Sequence, residues 1–364
     1  MIQERVPIGN YITEYSVRNK ENEDIPVYSV TNSQGFCTEY FDKEVASKDK
    51  TTYKIVPRGY FAYNPSRINV GSVDWQKMED RVIVSPLYNV FSISNELEQQ
   101  YLLYFLKSNI GKQMIKAKTS GSVRDNLKLN MLKEMTIPKR TVQEQKKCVV
   151  ILDELKKIIS LYTEKIGKYD ELIKARFVEM FGSIHESTEY PYVAVKDLTD
   201  VISGGTPSRD KPEYWEDGTI PWVKTTELQN NIIVNVDEYI TEVGLNSSSA
   251  KLVPVGTVLV AMYGQGKTRG MTAYLNIEAC TNQACACILP SDRIDSMFMW
   301  KFFELSYEKL RNLAQGAGQP NLNGNMIKNF QVLVPPIELQ KEYIDFVCQT
   351  DKSKFDKFYR HVIG

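Results

Sequence analysis

Histidine is almost absent. His185 and His361 are the only two in 364 residues, so a His-centred nucleophilic triad or a His-rich metal site is hard to assemble. Apolar runs are short as well. None approaches the length needed to cross a bilayer, and the start Met1-Ile2-Gln3-Glu4-Arg5 lacks an apolar signal core. A cytoplasmic chain with no membrane partner is therefore expected. Cysteine is sparse: Cys37, Cys148, Cys280, Cys285, Cys287 and Cys348. Two fall inside expected helices and two alternate on one strand face, the usage of a reduced core. Cys280, Cys285 and Cys287 are not spaced as a zinc knuckle and have no His nearby, so core packing rather than metal binding is expected. Net charge is missing too, since 45 Lys plus Arg balance 45 Asp plus Glu, which argues against a generic nucleic-acid binder.

Signatures of catalysis are equally thin. Gly264-Gln265-Gly266-Lys267-Thr268 looks like the end of a phosphate-binding loop, but Ala261 stands where that pattern needs Gly, and no flanking βαβ unit is evident. Asn64-Pro65-Ser66-Arg67 shares only its first two positions with the four-residue motif of amino-methyltransferases, and no Gly-rich cofactor loop of the usual kind occurs. The expectation is a chain without catalytic residues and without a cofactor of its own.

What the chain does have is one long helical stretch, Thr141 to Gly182. It opens on a capping box, Thr141-Val142-Gln143-Glu144, in which hydroxyl and carboxylate can each satisfy a free amide of the first turn. Apolar residues then alternate at spacings of three and four through Leu152, Leu155, Ile159, Tyr162, Ile166, Tyr169 and Ile173, with Phe177 and Met180 continuing the stripe. That spacing is a coiled-coil seam. At 1.5 Å per residue the helix would be about 60 Å long and would act as a spacer.

The chain also repeats itself. A shift of 195 lays Asn126-Leu127 on Asn321-Leu322, Met131-Leu132-Lys133 on Met326-Ile327-Lys328 and Gln145-Lys146 on Gln340-Lys341, without a gap. Further upstream a shift of 197 lays Val56-Pro57-Arg58-Gly59 on Val253-Pro254-Val255-Gly256. A unit of almost two hundred residues is thus present twice, each copy a globular part followed by a helix. In both copies strand-like segments precede a helical one, expected from Asn95 to Lys118 in the first and from about Ile294 to Ala314 in the second, so the fold class is α+β. The expected division is a module at residues 1–140, a spacer helix at 141–182, a second module at 183–336 and a short C-terminal spacer helix at 337–364. Polar Asp351 occupies one seam position of that last helix. Two helices separated by a whole module can pack antiparallel. The copies differ in charge: between Lys107 and Lys147 eleven Lys or Arg face three Asp or Glu, a net +8, whereas the matching stretch is neutral.

Polar loops after strands carry the candidate contacts. In the second copy Tyr263, Gln265, Lys267, Thr268 and Arg269 follow the apolar strand from Val258 to Met262, and Asn64, Ser66 and Arg67 take the corresponding place in the first. Gln pairs bidentately with adenine and Arg or Lys with guanine. Ser122, Arg124 and Asn126 join the first set, and Thr206, Ser208, Arg209, Lys224 and Asn321 the second. A solvated loop tip is the competing reading for any one of them, and a shared turn competes most strongly at Asn126 and Asn321.

Further motifs join the twofold plan. They are the helix entry Ile137-Pro138 with Val142-Gln143-Glu144-Gln145-Lys146, its counterpart Val334-Pro335-Pro336-Ile337-Glu338-Leu339-Gln340, the exit Ala175-Arg176-Phe177-Val178-Glu179-Met180-Phe181-Gly182, and Gly204-Gly205-Thr206-Pro207-Ser208 with Ile220-Pro221-Trp222-Val223. In this order and spacing the chain resembles a specificity subunit of a type I restriction-modification system. The resemblance implies two target recognition domains, each reading one half of a split site on double-stranded DNA, with long antiparallel coiled-coil helices fixing the distance between halves. It also implies two modification subunits, which carry S-adenosylmethionine and methylate adenine, and motor-nuclease restriction subunits in the full assembly. A coiled-coil adaptor that binds protein or peptide is the alternative from a different class.

Overall fold

A computed structural model describes residues 4–38, 49–119, 126–264, 266–314 and 321–350. The chain divides into two units, Met1–Leu161 and Tyr162–Gly364, and the boundary falls inside one continuous helix, Val142–Phe181. The reciprocal cap at its start is formed: the Glu144 amide donates to Thr141 Oγ1 at 3.3 Å and the Thr141 amide to Glu144 Oε2 at 2.8 Å. The Thr141 amide and the Thr141 hydroxyl, both donating to the Glu144 carboxylate, hold it below its ordinary value. Gly182, at φ 77°, ends the helix in the left-handed region that glycine adopts without a Cβ clash.

In the first unit, strand Arg5–Pro7 pairs antiparallel with Thr136–Pro138 and ties the ends of the module together. Between them lies an antiparallel sheet in the order Ile12–Glu14, Asn89–Ile93, Phe61–Tyr63, Val73–Trp75. Helices Gln99–Lys107, Asn109–Thr119 and Leu129–Glu134 follow the last of these strands in sequence. Phe61, Phe91, Leu102, Leu106, Ile115 and Leu132 are fully buried between sheet and helices.

The second unit repeats this plan. Tyr192–Ala194 pairs antiparallel with Gln331–Leu333, and Val201–Ser203, Cys285–Ile288, Val258–Ala261 and Thr272–Leu275 lie side by side in the same antiparallel order. A fifth strand, Asn231–Ile233, adds in parallel at the edge, and Ile220–Val223 lies between Glu238–Ile240 and Cys280–Thr281 in a small sheet, whose parallel contact of Trp222 with Cys280 is matched in the first unit by the bridge between Val27 and Ile83. Helices Ser296–Leu305, Tyr307–Leu313 and Gly324–Lys328 take the places of the first three. Cys280, Cys285 and Cys287 are buried, and burial pushes the thiols of Cys280 and Cys287 up to about 11. Among the described residues no helix is long and apolar enough to cross a membrane.

The structure corrects two sequence expectations. The single helices expected near 95–118 and 294–314 are each broken in two at a serine. Ser108 is extended, its hydroxyl donating to Phe105 O at 2.7 Å and accepting from Gly111 N at 3.1 Å, and Ser306 breaks the second helix with its hydroxyl on Phe302 O at 2.6 Å. A hydroxyl that bonds nearby backbone competes with the helical ladder.

The seam is partnered at its C-terminal end. Ile173, Phe177 and Phe181 enter the core of the second unit with Tyr343, Ile344 and Val347 of the helix Ile337–Thr350. Arg176 pairs with Glu342 at 2.8 Å, and the Tyr343 hydroxyl donates to Ile173 O at 3.4 Å. Leu152, Leu155, Ile159, Tyr162 and Ile166 are 37–64 % exposed. Residues 351–364 of the expected second spacer helix lie outside the described residues.

Candidate nucleic-acid interface

In the first unit the strand Phe61–Tyr63 runs into a turn. Asn64 Oδ1 accepts from the Ser66 amide at 3.1 Å and the Ser66 hydroxyl at 2.9 Å, an Asx turn that fixes the loop locally. The Leu127 amide then donates to Pro65 O at 3.0 Å, and the buried Tyr63 phenol to Leu127 O at 3.0 Å. Asn64, Ser66, Arg67 and Asn126 are thereby brought to one place. Beside them opens a cleft of about 480 Å³ whose walls include Thr31, Asn32, Asn64, Arg67, Ser72 and Tyr88. Ser122 and Arg124 lie outside the described residues.

The second unit uses the same tie. The Leu322 amide donates to Met262 O at 3.0 Å, again joining the post-strand loop to the residue after the repeated Asn. This loop is supported from beneath by the helix Tyr307–Leu313: Tyr307 donates to Lys267 O at 2.8 Å and Arg311 to Arg269 O at 2.9 Å. Gly270, at φ 85°, closes the loop with its amide on Ala261 O at 2.9 Å. With its backbone carbonyls so held, the loop exposes Tyr263 and Lys267, while Thr268 and Arg269 are half-buried. Asn321 is half-buried, and its Oδ1 has no hydrogen-bond partner among the described residues. Gln265 lies outside them.

Thr206, Ser208, Arg209 and Lys224 form a second cluster in this unit. Gly204 and Gly205 allow the chain to pass against Thr281 and Ser249, where any Cβ would collide. The Trp222 indole donates to Gly205 O at 3.0 Å, the Trp215 indole donates to Ser208 O at 3.0 Å, and the Thr206 hydroxyl donates to Gln283. The Arg209 guanidinium lies 3.6 Å from the Trp215 ring centroid and pairs with Glu238 at 2.6 Å, and Lys224 reaches the same carboxylate at 3.0 Å. Partial burial acts to raise the Glu238 carboxyl, but the hydrogen bonds from Lys224 and Arg209 prevail and hold it below its ordinary value. These two cations are therefore compensated and positioned, whereas Lys267 projects from a supported loop. Sequence reasoning did not find Glu238, because its partners are 14 and 29 positions away and no short motif links them.

The comparisons with known proteins follow the same twofold plan. The family model described as "Type I restriction modification DNA specificity domain" matches twice, over residues 6–168 and 188–357. The EcoR124I/EcoR124II specificity subunit of Escherichia coli is 21% identical over 217 residues, covering 59% of this chain and 53% of that protein. The MjaIX specificity subunit of Methanocaldococcus jannaschii is 29% identical over 171 residues, covering 44% and 39%. The chain thus spans about half or less of the length of these curated relatives. Among solved structures, a chain from a study of complex assembly and conformational transition of the type I R-M system covers 97% of this chain and 91% of its own, at TM-score 0.57 and 16% identity. The S subunit of a type I restriction-modification system from M. genitalium covers 98% and 91%, at TM-score 0.53 and 15% identity. At such identities the structural likeness is one of fold.

Proposed function

The chain belongs to the type I restriction modification DNA specificity family, whose model matches it in two copies, and from that premise we propose that it is the DNA-recognition subunit of a type I restriction-modification enzyme. Each globular module, residues 1–140 and 183–336, reads one half of a bipartite site on double-stranded DNA. The helices at 141–182 and 337–364 set the spacing of the halves and dock two methyltransferase subunits, which hold S-adenosylmethionine. Restriction subunits with motor and nuclease activity complete the assembly. The chain itself recognises and does not catalyse, holds no cofactor or metal, and works in the cytoplasm.

One observation carries the reading. Both modules anchor a polar loop after the same strand with the same backbone tie, Leu127 to Pro65 and Leu322 to Met262, yet the loops bear different side chains. A constant frame with variable letters is what reading two different half-sites requires, since phosphate contacts position a protein and base contacts specify its sequence.

Replacing Lys267 and Arg269 together by Ala should weaken binding of the assembled complex to its site by about 10- to 100-fold, the loss expected for one or two charged contacts, with assembly intact. Unchanged affinity in an intact complex would remove that loop from the interface. A steep fall of affinity with salt separates this reading from a protein-binding adaptor, because phosphate contacts release counterions.

A further inference from the structure

The helix Gln99–Lys107 buries Tyr101, Leu102, Leu103 and Leu106. Its opposite face carries Gln100, Tyr104 and Lys107, spaced at i, i+4 and i+7 and so aligned on one side. Cations from three parts of the first unit gather on that face. The Trp75 indole donates to Gln100 Oε1 at 3.3 Å, and the Lys77 ammonium lies 4.8 Å from the Trp75 ring centroid. The Lys156 ammonium lies 4.2 Å from that of Tyr104. Lys107 donates to the Asn32 carbonyl at 3.4 Å. Asn32 in turn lines the cleft that holds Asn64 and Arg67, so Lys107 reaches the edge of the candidate interface. Two carboxylates stand nearby: Asp74, buried and 3.7 Å from Lys77, and Asp153, which accepts from the Tyr104 hydroxyl.

Resting on the DNA-recognition reading above, we infer that this face is a phosphate track, on which Lys77, Lys107 and Lys156 hold the sugar-phosphate backbone of DNA whose bases are read at the adjoining cleft. The ammonium groups of Lys77 and Lys156 sit over aromatic rings, so both are already positioned on this face and less ordering remains to be done on binding an anion. Burial lowers the Lys107 ammonium from its ordinary value, and the neighbouring Lys156, Lys77 and Lys112 lower it further against the opposing pull of Asp74. An arriving phosphate relieves that mutual repulsion.

The second unit lacks the feature. Its matching helix, Ser296–Leu305, places Lys301 and Glu304 where Tyr104 and Lys107 stand, and these two form an ion pair with each other at 2.6 Å. Trp75 opposes Phe61 on the neighbouring strand as Tyr274 opposes Val258, and two residues on from Tyr274 the position of Lys77 is held by Asn276. The first unit therefore supplies the larger share of the salt-dependent, sequence-independent affinity.

The test compares the full chain, assembled with its methyltransferase partner, with a variant carrying Lys77→Gln, Lys107→Gln and Lys156→Gln. Binding to a duplex of random sequence and to the methylated site is followed over a salt series. The slope of log affinity against log salt should become shallower by about 2 to 3, at about 0.9 per phosphate contact, and affinity near 0.1 M salt should fall by roughly 10- to 100-fold. The methylated sequence should stay the same. The corresponding Lys→Arg triple variant should keep the original slope, which separates charge from fold. If slope and affinity are unchanged in the Gln variant while the Lys267→Ala, Arg269→Ala variant still binds weakly, the track is wrong and the recognition reading stands. If neither variant affects binding, the recognition reading fails as well. Loss of assembly by the Gln variant with no change in the DNA affinity of the complex that does form would overturn the track in favour of a protein-docking face.

Discussion

Phe177→Ala should destabilise the second unit by about 3–5 kcal/mol, the range found when a fully buried Phe is truncated in a packed core. Phe177 has no exposed surface, and its ring centroid lies 5.1 Å from that of Phe181, 6.1 Å from Phe298, 6.0 Å from Phe302 and 5.5 Å from Tyr343. Those rings come from the central helix, the first long helix of the module and the C-terminal helix. Removing the ring opens a cavity at the point where three elements are joined, and the interdigitated neighbours cannot collapse to fill it. Urea unfolding of the full chain measures this as a drop in the midpoint of the second unit's transition. Leu155→Ala is the contrast, because Leu155 belongs to the same seam but is 50 % exposed. Its effect on the isolated chain should stay within about 0.5 kcal/mol, as for surface positions generally. Equal effects at the two positions would contradict the account of where the seam is partnered.

Gln145→Ala and Gln340→Ala should each cost about 2–3 kcal/mol, in separate units. Both side chains are almost fully buried. Gln145 accepts from the Glu98 amide at 2.8 Å and donates to Glu96 O and Arg140 O, both at 2.9 Å. Gln340 accepts from the Asp295 amide at 2.9 Å and donates to Pro335 O at 2.7 Å. Glu98 and Asp295 cap the first long helix of their modules, taking bonds from Tyr101 N at 2.6 Å and from Met297 N and Phe298 N at 2.9 Å. Each Gln thus locks the start of one helix to the cap of another, and its loss strands buried backbone groups at about 1–3 kcal/mol apiece. Replacement by Glu should not rescue, since a carboxylate cannot donate to the carbonyls. Thermal unfolding of both variants checks the pair, and losses below about 0.5 kcal/mol would refute the shared locking role.

This Gln pair also shows what was legible in the sequence. Gln145 and Gln340 align at the gapless shift of 195, as do Leu127 and Leu322, whose amides tie the two candidate loops. Strong constraints from buried backbone groups leave the same residue in both copies, so the repeat exposes them. The capping box and the periodic stripe placed the central helix within a residue at each end, because local bonds and spacing decide where a helix starts and stops. The breaks at Ser108 and Ser306 escaped notice because a hydroxyl chooses between helix ladder and turn by its tertiary setting. Arg209 and Lys224 stand in the sequence as candidate contacts, but they share Glu238, a partner placed by the pairing of strand Glu238–Ile240 with Ile220–Val223. The lysines at 77, 107 and 156 are scattered over eighty positions, and only the packing of helix Gln99–Lys107 against its neighbours gathers them.

The central claim is that two modules on a shared helical frame each read half of one DNA site. Its most direct test is to sequence the sites methylated by the full chain combined with its methyltransferase subunit, before and after one module is exchanged for that of a relative. The account predicts a bipartite motif in which one half changes while the other half stays fixed. A motif that is not divided, or one in which both halves change together, would contradict it.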